Sequence, residues 1–211
     1  EFRRVLFRSP KALIKEKDES WMVKFPSSLD PNDFGATEFD YSRIARKCGI
    51  VMPETQLFEN KYFGVKRFDR DGDDRIHMHT ASGLLNASYR FPSLDYIDLM
   101  RASFALTKNL ENSYKLFRQM VFNVLTGNKD DHTKNFSFLY TEQGWCLSPA
   151  YDLAPSGGFN GNHSTTIAGQ GQPSRENLFE VGIQTGLKQK RMLQIFDEVH
   201  QNCTPIRLGQ W

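Results

Sequence analysis

Short alternating runs of apolar and polar residues open the chain. Residues 12–14 and 21–25 read as two strands joined by the polar turn Glu16-Lys17-Asp18-Glu19-Ser20. Side chains alternate between the faces of a strand, so Trp21, Val23 and Phe25 share one face while Met22 and Lys24 share the other. Lys24 is thus a charge set among apolar neighbours and followed by Pro26. Residues 27–35 are rich in turn formers and read as a loop. The period then becomes helical over 36–47, with Phe39, Ile44 and Cys48 near one stripe, Tyr41 and Ala45 adjoining it, and Gly49 placed to end the helix. Glu38 falls in its predicted first turn. Residues 55–58 and 62–68 form a second strand pair turning at Glu59-Asn60-Lys61. The polar run Arg67-Phe68-Asp69-Arg70-Asp71-Gly72-Asp73-Asp74 breaks the pattern and marks a boundary.

Beyond that break the chain is mostly helical. Residues 96–108 carry Ile97, Met100 and Phe104, and residues 112–125 carry Leu116, Met120 and Val124, at spacings of three and four. The second helix should stop at Gly127-Asn128. Residues 136–140 and 145–147 make a hairpin around Thr141-Glu142-Gln143-Gly144. A Gly-, Ser-, Asn- and Thr-rich loop over 156–174 precedes a closing helix from about 188 to 199. Strands first and helices after predict an α+β fold.

Composition narrows the classes. The chain has 211 residues, 25% charged and 39% hydrophobic, with a formal net charge of +2. That is room for one substantial core or two small lobes around a cleft. The charge is too small to argue for direct nucleic-acid binding or for a membrane surface. No apolar run approaches the ~20 residues that a membrane helix requires. Cys48, Cys146 and Cys203 are few and far apart, which suggests neither a disulfide framework nor a zinc site and fits a cytoplasmic setting. His77 and His79 alternate on a short strand-like piece and could face one metal together. No third ligand candidate lies near them in sequence, so a structural role is expected.

The chemistry concentrates in Gly127-Asn128-Lys129-Asp130-Asp131-His132-Thr133-Lys134-Asn135-Phe136-Ser137, followed after the hairpin by Ser148-Pro149-Ala150-Tyr151-Asp152-Leu153. Asp130 and Asn135 stand five residues apart, the catalytic-loop spacing of protein-kinase-type phosphotransferases. The hairpin folds Asp152 back toward them. Phosphoryl transfer needs an oriented nucleophile and neutralised phosphate charge. Asp130 could take the hydroxyl proton, while Asn135 and Asp152 supply hard oxygens suited to Mg2+. Asp131 competes for the role of base, though at four residues from the Asn. His132 and Lys134, inside the loop, could meet phosphates. Lys24 on a strand and Glu38 on the next helix fit the phosphate-binding lysine and the carboxylate that holds it.

These residues resemble those of the HipA-like serine/threonine kinases, bacterial toxins of toxin–antitoxin pairs, over about residues 10–199. Besides the two stretches just named, Pro10-Lys11-Ala12-Leu13 resembles the end of the family's phosphate-binding loop. Trp21-Met22-Val23-Lys24-Phe25-Pro26 resembles its lysine strand, and Val65-Lys66-Arg67-Phe68-Asp69-Arg70 resembles the linker of the adenine pocket. The resemblance implies a protein-kinase-like bilobal fold, with an N-lobe remnant over 10–70 and a helical C-lobe over 71–211. It implies ATP and Mg2+ as cofactors, Asp130 as the catalytic residue, and Asn135 and Asp152 as metal ligands. Lys24 would meet the phosphates, Lys66, Arg67 and Phe68 the adenine (largely by backbone), and Asp69 the ribose. Residues 132–135 and Tyr151 would complete the nucleotide cleft. The implied activity is phosphorylation of a serine on a protein, by resemblance an aminoacyl-tRNA synthetase, which inhibits translation. The implied partner is a helix-turn-helix antitoxin; the family's N-terminal subdomain would be either lost with the missing start or supplied by a separate small N-terminal-subdomain protein, as in split systems.

Two departures accompany the resemblance. Where the family carries a Ser/Gly-rich phosphate loop, this chain has residues 4–9, inside a nine-residue start that reads as vector- or adaptor-like sequence and is set aside from fold reasoning. The N-terminal subdomain of full-length members has no counterpart here. A small-molecule kinase with the same core, and a catalytically inactive fragment that binds nucleotide or antitoxin, are the alternative readings.

Overall fold

The computed structural model describes residues 10–16, 18–26, 33–87 and 94–206. The nine-residue start, with the phosphate-loop position inside it, and residues 27–32 of the predicted loop lie outside the described residues.

Four strands form the first sheet: β1 (Lys11–Glu16), β2 (Glu19–Lys24), β3 (Thr55–Phe58) and β4 (Tyr62–Lys66), in the order β1-β2-β4-β3, all antiparallel. The ladder sets Met22 opposite Val65 and Lys24 opposite Phe63, which fixes one face as the one carrying Lys24. On the other face the Trp21 and Phe58 rings meet edge-on with centroids 5.7 Å apart. Phe58 reaches Trp21 by crossing Gly64, where a Cβ would stand 2.2 Å from the Phe58 ring, so only glycine fits.

Helix α1 (Phe34–Lys47) packs against β3 and β4. It starts two residues earlier than the periodicity predicts, so Glu38 lies in its second turn. Its buried face is Glu38, Tyr41, Ser42 and Ala45; Phe39 and Ile44, expected on the inward stripe, are only half-buried. The inward set is partly polar because it serves the cleft as well as the core. Ser42 shares a hydrogen bond with Thr55, and the Arg46 guanidinium donates to the Pro53 carbonyl, which ties the crossover to β3.

The polar break contains the small hairpin β5 (Arg70–Asp71) and β6 (Asp74–Arg75), after which β7 (His77–Thr80) runs into the short α2 (Ala81–Leu84). The predicted hairpin is β8 (Ser137–Thr141) and β9 (Gly144–Leu147), and β7 adds to it as a third strand. His77 stands opposite Tyr140 in the ladder and meets Trp145 edge-on at 5.5 Å, while the His77 and His79 rings lie 6.4 Å apart.

The helical part is built around α4 (Leu110–Thr126). Leu116, Phe117, Met120, Val121, Phe122 and Leu125 are fully buried against α3 (Tyr96–Thr107), α5 (Arg175–Gln184) and α6 (Gln189–Asn202). Asp95 caps α3 with a capping box to Asp98, and the Asn109 side chain caps α4. Phe104, expected on the inward face of α3, is 48% exposed; that face is Tyr96, Leu99, Met100 and Ser103. Among the described residues no helix is long and apolar enough to cross a membrane.

Candidate active site

Lys24 ends β2 on the face that α1 approaches. Its ammonium donates to Glu38 Oε1 at 2.7 Å and to Asp152 Oδ1 at 2.5 Å. Strand, helix and the segment after β9 thus converge on one buried cation, which is 5% exposed. Burial would lower the Lys24 pKa, but Asp152 and Glu38 together hold it above its ordinary value. Burial likewise opposes ionisation of Asp152, yet Lys24 and then Lys11 win and hold its carboxyl down at about 2. At Glu38 burial outweighs Lys24, and the pKa is raised. Asp152 is therefore the firmly ionised member of the pair. It also sits at φ +53, a left-handed conformation unfavourable for a residue with a Cβ, held here by its surroundings.

The hydrophobic pattern alone gives no prominence to Lys11. The β1–β2 register places it directly opposite Lys24, with its ammonium 4.0 Å from Asp152 Oδ2 and partly open to solvent. A small pocket lies beside this cluster, lined by Met22, Val65, Leu153 and Tyr151 along with Lys24 and Asp152.

Helix α4 delivers the chain to Gly127, whose φ of +69 ends the helix, and residues 128–132 lead into a 3-10 turn over Thr133–Asn135. Asp130 points outward, its side chain 62% exposed, with His132 Nε2 at 4.0 Å. Partial desolvation in the cleft raises its pKa, helped by Asp152 and Asp131 and opposed by His132. The Asn135 side-chain nitrogen donates to the Asp130 carbonyl at 2.9 Å, which fixes the amide's orientation and leaves its oxygen to serve as a ligand.

The adjacent acid behaves oppositely. Asp131 is buried and accepts from Tyr96 Oη (2.9 Å), His163 Nδ1 (2.9 Å) and the backbone N–H groups of Ser164 (2.9 Å) and Thr165 (3.3 Å). With both oxygens engaged and no open surface, it offers no base to an incoming hydroxyl.

Tyr151 packs between these groups. Its hydroxyl donates to the Lys134 carbonyl at 2.6 Å and lies 2.6 Å from Ser137 Oγ; burial pushes the phenol up to about 12. Its ring meets Phe68 with centroids 5.7 Å apart, which links the predicted adenine stretch to the cluster. Within that stretch the Lys66 and Arg67 N–H groups already bond to the Glu54 and Ser20 carbonyls. Lys66 pairs with Trp21 in the ladder, so its side chain leaves on the face opposite Lys24, where its ammonium bonds to Glu19. Asp69 accepts from Arg67 and Arg70; burial opposes ionisation, but the two guanidinium groups hold its carboxyl below the ordinary value.

The structure therefore gathers Lys24, Glu38, Asp152 and Tyr151 in one cluster, and Asp130, His132 and Asn135 in a second beside it. Phe68 touches the first through Tyr151, while the Lys66 side chain and the Asp69 carboxylate are engaged elsewhere. Tyr96 and His163 join the site only through Asp131. Their one trace in sequence is polar character within a helix start and an irregular loop.

Comparison with known proteins follows the same residues. The sequence model of the HipA-like C-terminal domain matches residues 8–205. The chain is 28% identical over 152 residues to "Putative kinase Y4dM" of Sinorhizobium fredii, covering 64% of this chain and 37% of that protein. It is 51% identical over 146 residues to "Putative kinase Y4mE" of the same organism, covering 63% and 33%. The chain thus spans about a third of the length of the curated relatives it matches. HipA of Shewanella oneidensis MR-1, solved with HipB and its operator DNA, superposes with a TM-score of 0.79 at 21% identity, over 96% of this chain and 57% of that one. The Helicobacter pylori proinflammatory kinase CtkA superposes with a TM-score of 0.57 at 15% identity, over 93% and 90%. At these identities the likeness is one of fold, and the fold is kinase-like.

Proposed function

The chain belongs to the HipA-like C-terminal domain family, and from that premise we propose that it carries the core of an ATP-dependent kinase that phosphorylates a serine or threonine hydroxyl of a protein. The observation that carries this reading is the Lys24–Glu38–Asp152 cluster with the Asp130–Asn135 loop tied beside it by the Tyr151 hydroxyl on the Lys134 carbonyl.

In this reading Lys24, held in place by Glu38, meets the phosphates of ATP, and Lys11 adds a second positive charge at the mouth. The donor set fits magnesium: a carboxylate on Asp152 and an amide oxygen on Asn135 are hard ligands, and that ion takes one or two protein groups with phosphate oxygens. Bound there, it would neutralise charge on the transferring phosphoryl group. Asp130, open to the cleft and more basic than an ordinary aspartate, orients the acceptor hydroxyl and takes its proton. The hydroxyl oxygen forms the new bond to the γ-phosphorus as the bond to the ADP oxygen breaks. The Met22 and Val65 side chains offer an apolar surface to the adenine. An aminoacyl-tRNA synthetase as substrate rests on the family resemblance alone. An antitoxin partner is supported by the Shewanella relative, which is held with HipB.

The test is incubation of the protein with γ-labelled ATP, magnesium and a bacterial extract. Label should enter protein, and Asp130→Ala should abolish it. Equal labelling by the parent and by Asp130→Ala would refute the reading, and label entering only small molecules would move it to a metabolite kinase.

A further inference from the structure

Residues 128–131 present one side chain to the cleft, and the others serve to hold it there. Asp131 is the centre of that arrangement. Its side chain has no exposed surface, so its charge is tolerable only with its acceptor sites filled. The donors come from two distant parts of the chain: Tyr96 on α3, and the consecutive residues His163, Ser164 and Thr165. Beside a carboxylate, His163 carries its proton on Nδ1, and all four partners donate.

The same loop grips the backbone on both sides of Asp130. Thr165 Oγ1 donates to the Asp131 carbonyl at 2.6 Å, and the Ser164 N–H and hydroxyl donate to the Lys129 carbonyl at 3.0 and 3.1 Å. Lys129 returns the contact through Nζ to the Gly161 carbonyl at 2.8 Å. From the other side Asn128 Nδ2 bonds to Asn123 Oδ1, and Asn123 Nδ2 to Tyr96 Oη, each at 3.0 Å. The Asp130 carbonyl is taken by Asn135. Asp130 alone of the four keeps its side chain out of this network.

The 163–169 segment is itself pinned by protein groups. Tyr96 N–H donates to the Thr166 carbonyl at 2.9 Å, and Asp95 Oδ2 accepts from Thr166 Oγ1 (2.7 Å) and Gly169 N–H (2.8 Å). Kinases that order an activation loop by phosphorylation use an added anion paired with arginine. Here two aspartates of the chain, Asp95 and Asp131, supply the anions.

We propose that Asp131, bonded to Tyr96 and His163, is a positioning residue that locks the loop over 163–165 onto the backbone flanking Asp130, so that this loop is ordered without phosphorylation. The proposal rests on the kinase reading for its effect on rate, but not for its effect on loop order.

The experiment compares His163→Leu with His163→Asn, whose side-chain nitrogen can replace Nδ1 as donor, and uses Tyr96→Phe as a second removal of one donor. Two readouts are taken: amide hydrogen exchange over residues 127–135, and kcat against KM for ATP. His163→Leu and Tyr96→Phe should each speed exchange in that segment at least about tenfold relative to α4, a loss of local protection set by the missing hydrogen bond. His163→Leu should lower kcat by up to about a hundredfold, the scale of a misplaced catalytic group, with KM for ATP within about threefold. His163→Asn should restore both readouts to within about threefold of the parent. Unchanged exchange in His163→Leu, or equal loss in the Leu and Asn variants, would overturn the proposal. A parent without turnover, or turnover indifferent to Asp130→Ala, would overturn the kinase reading instead, and exchange would still decide whether the clamp exists.

Discussion

Lys24 Nζ lies 2.5 Å from Asp152 Oδ1 across 128 residues of sequence, and the same ammonium bonds to Glu38 at 2.7 Å. One cation therefore serves two carboxylates, and removing it strands the buried Glu38 carboxyl and leaves the partly exposed Asp152 to Lys11. Lys24→Met should cost about 3–5 kcal/mol, the range for a buried ion pair broken on one side. Urea unfolding checks the loss. The double variant Lys24→Met/Glu38→Gln should recover part of it, because the orphaned carboxylate is gone. Equal stability of the single and double variants would show that Glu38 does not depend on Lys24.

The same triad sets an acid limit. Burial raises the Asp152 pKa, but Lys24 and Lys11 overcome it and take the group from an ordinary 3.8 down to about 2. A depressed carboxyl contributes stability that is fully present above the unfolded value and lost as pH falls through the folded one. About 2 kcal/mol should therefore disappear between roughly pH 4 and pH 2. Glu38 has the opposite sign: its raised pKa contributes below the ordinary 4.5 and is lost as pH rises through the folded value. Urea midpoints measured against pH should flatten below pH 4 in Asp152→Asn and keep their fall in Glu38→Gln. A parallel fall in the parent and in Asp152→Asn would assign the acid limit to other groups.

What sequence reveals of this site follows the range of the interactions. Lys24, Glu38 and Asp152 are legible because each depends on local pattern: strand alternation, helical period and a hairpin that turns the chain back. Lys11 needs the β1–β2 register, which sets it opposite Lys24 only once the turn length is known. The choice between Asp130 and Asp131 follows from spacing, but its physical cause is burial, and the donors at Asp131 come from residues 32 to 35 positions away. His163 sits in a stretch without periodicity, so its polar character reads as loop. Helix α5 is missed for a related reason. Gly182 weakens its helical signal, yet it lies against α6, where a Cβ would stand 1.9 Å from Met192 Sδ and push that side chain aside. The pairing of β7 with β8 joins His77 to Tyr140, a partnership no local pattern encodes.

Asp130 should control the acid side of the rate profile. Its carboxyl must be ionised to take a proton, and desolvation, with Asp152 and Asp131, raises its pKa above an ordinary 3.8. Under the kinase reading, kcat/KM should fall as pH drops through a value above 3.8. Asp130→Asn should lower kcat about 10²–10⁴-fold while leaving nucleotide affinity within about threefold. An inflection at or below 3.8, or a large loss of nucleotide affinity in Asp130→Asn, would remove it from the role of base.

The Tyr151 hydroxyl makes a prediction about stability that separates its ring from its oxygen. It donates to the Lys134 carbonyl, so the Ser137 hydroxyl, fully buried, must donate to it; both contacts are 2.6 Å. Tyr151→Phe keeps the ring beside Phe68 but leaves one carbonyl and one buried hydroxyl without their partner. The expected cost is about 1–3 kcal/mol by urea unfolding, since an unmet buried polar group is more expensive than a hydrogen bond is favourable. Ser137→Ala in the Tyr151→Phe background deletes the stranded hydroxyl, so the double variant should lose less than the two single losses added together. Additive losses would mean that Ser137 finds another acceptor, and the Tyr151 oxygen would then be holding the Lys134 carbonyl alone.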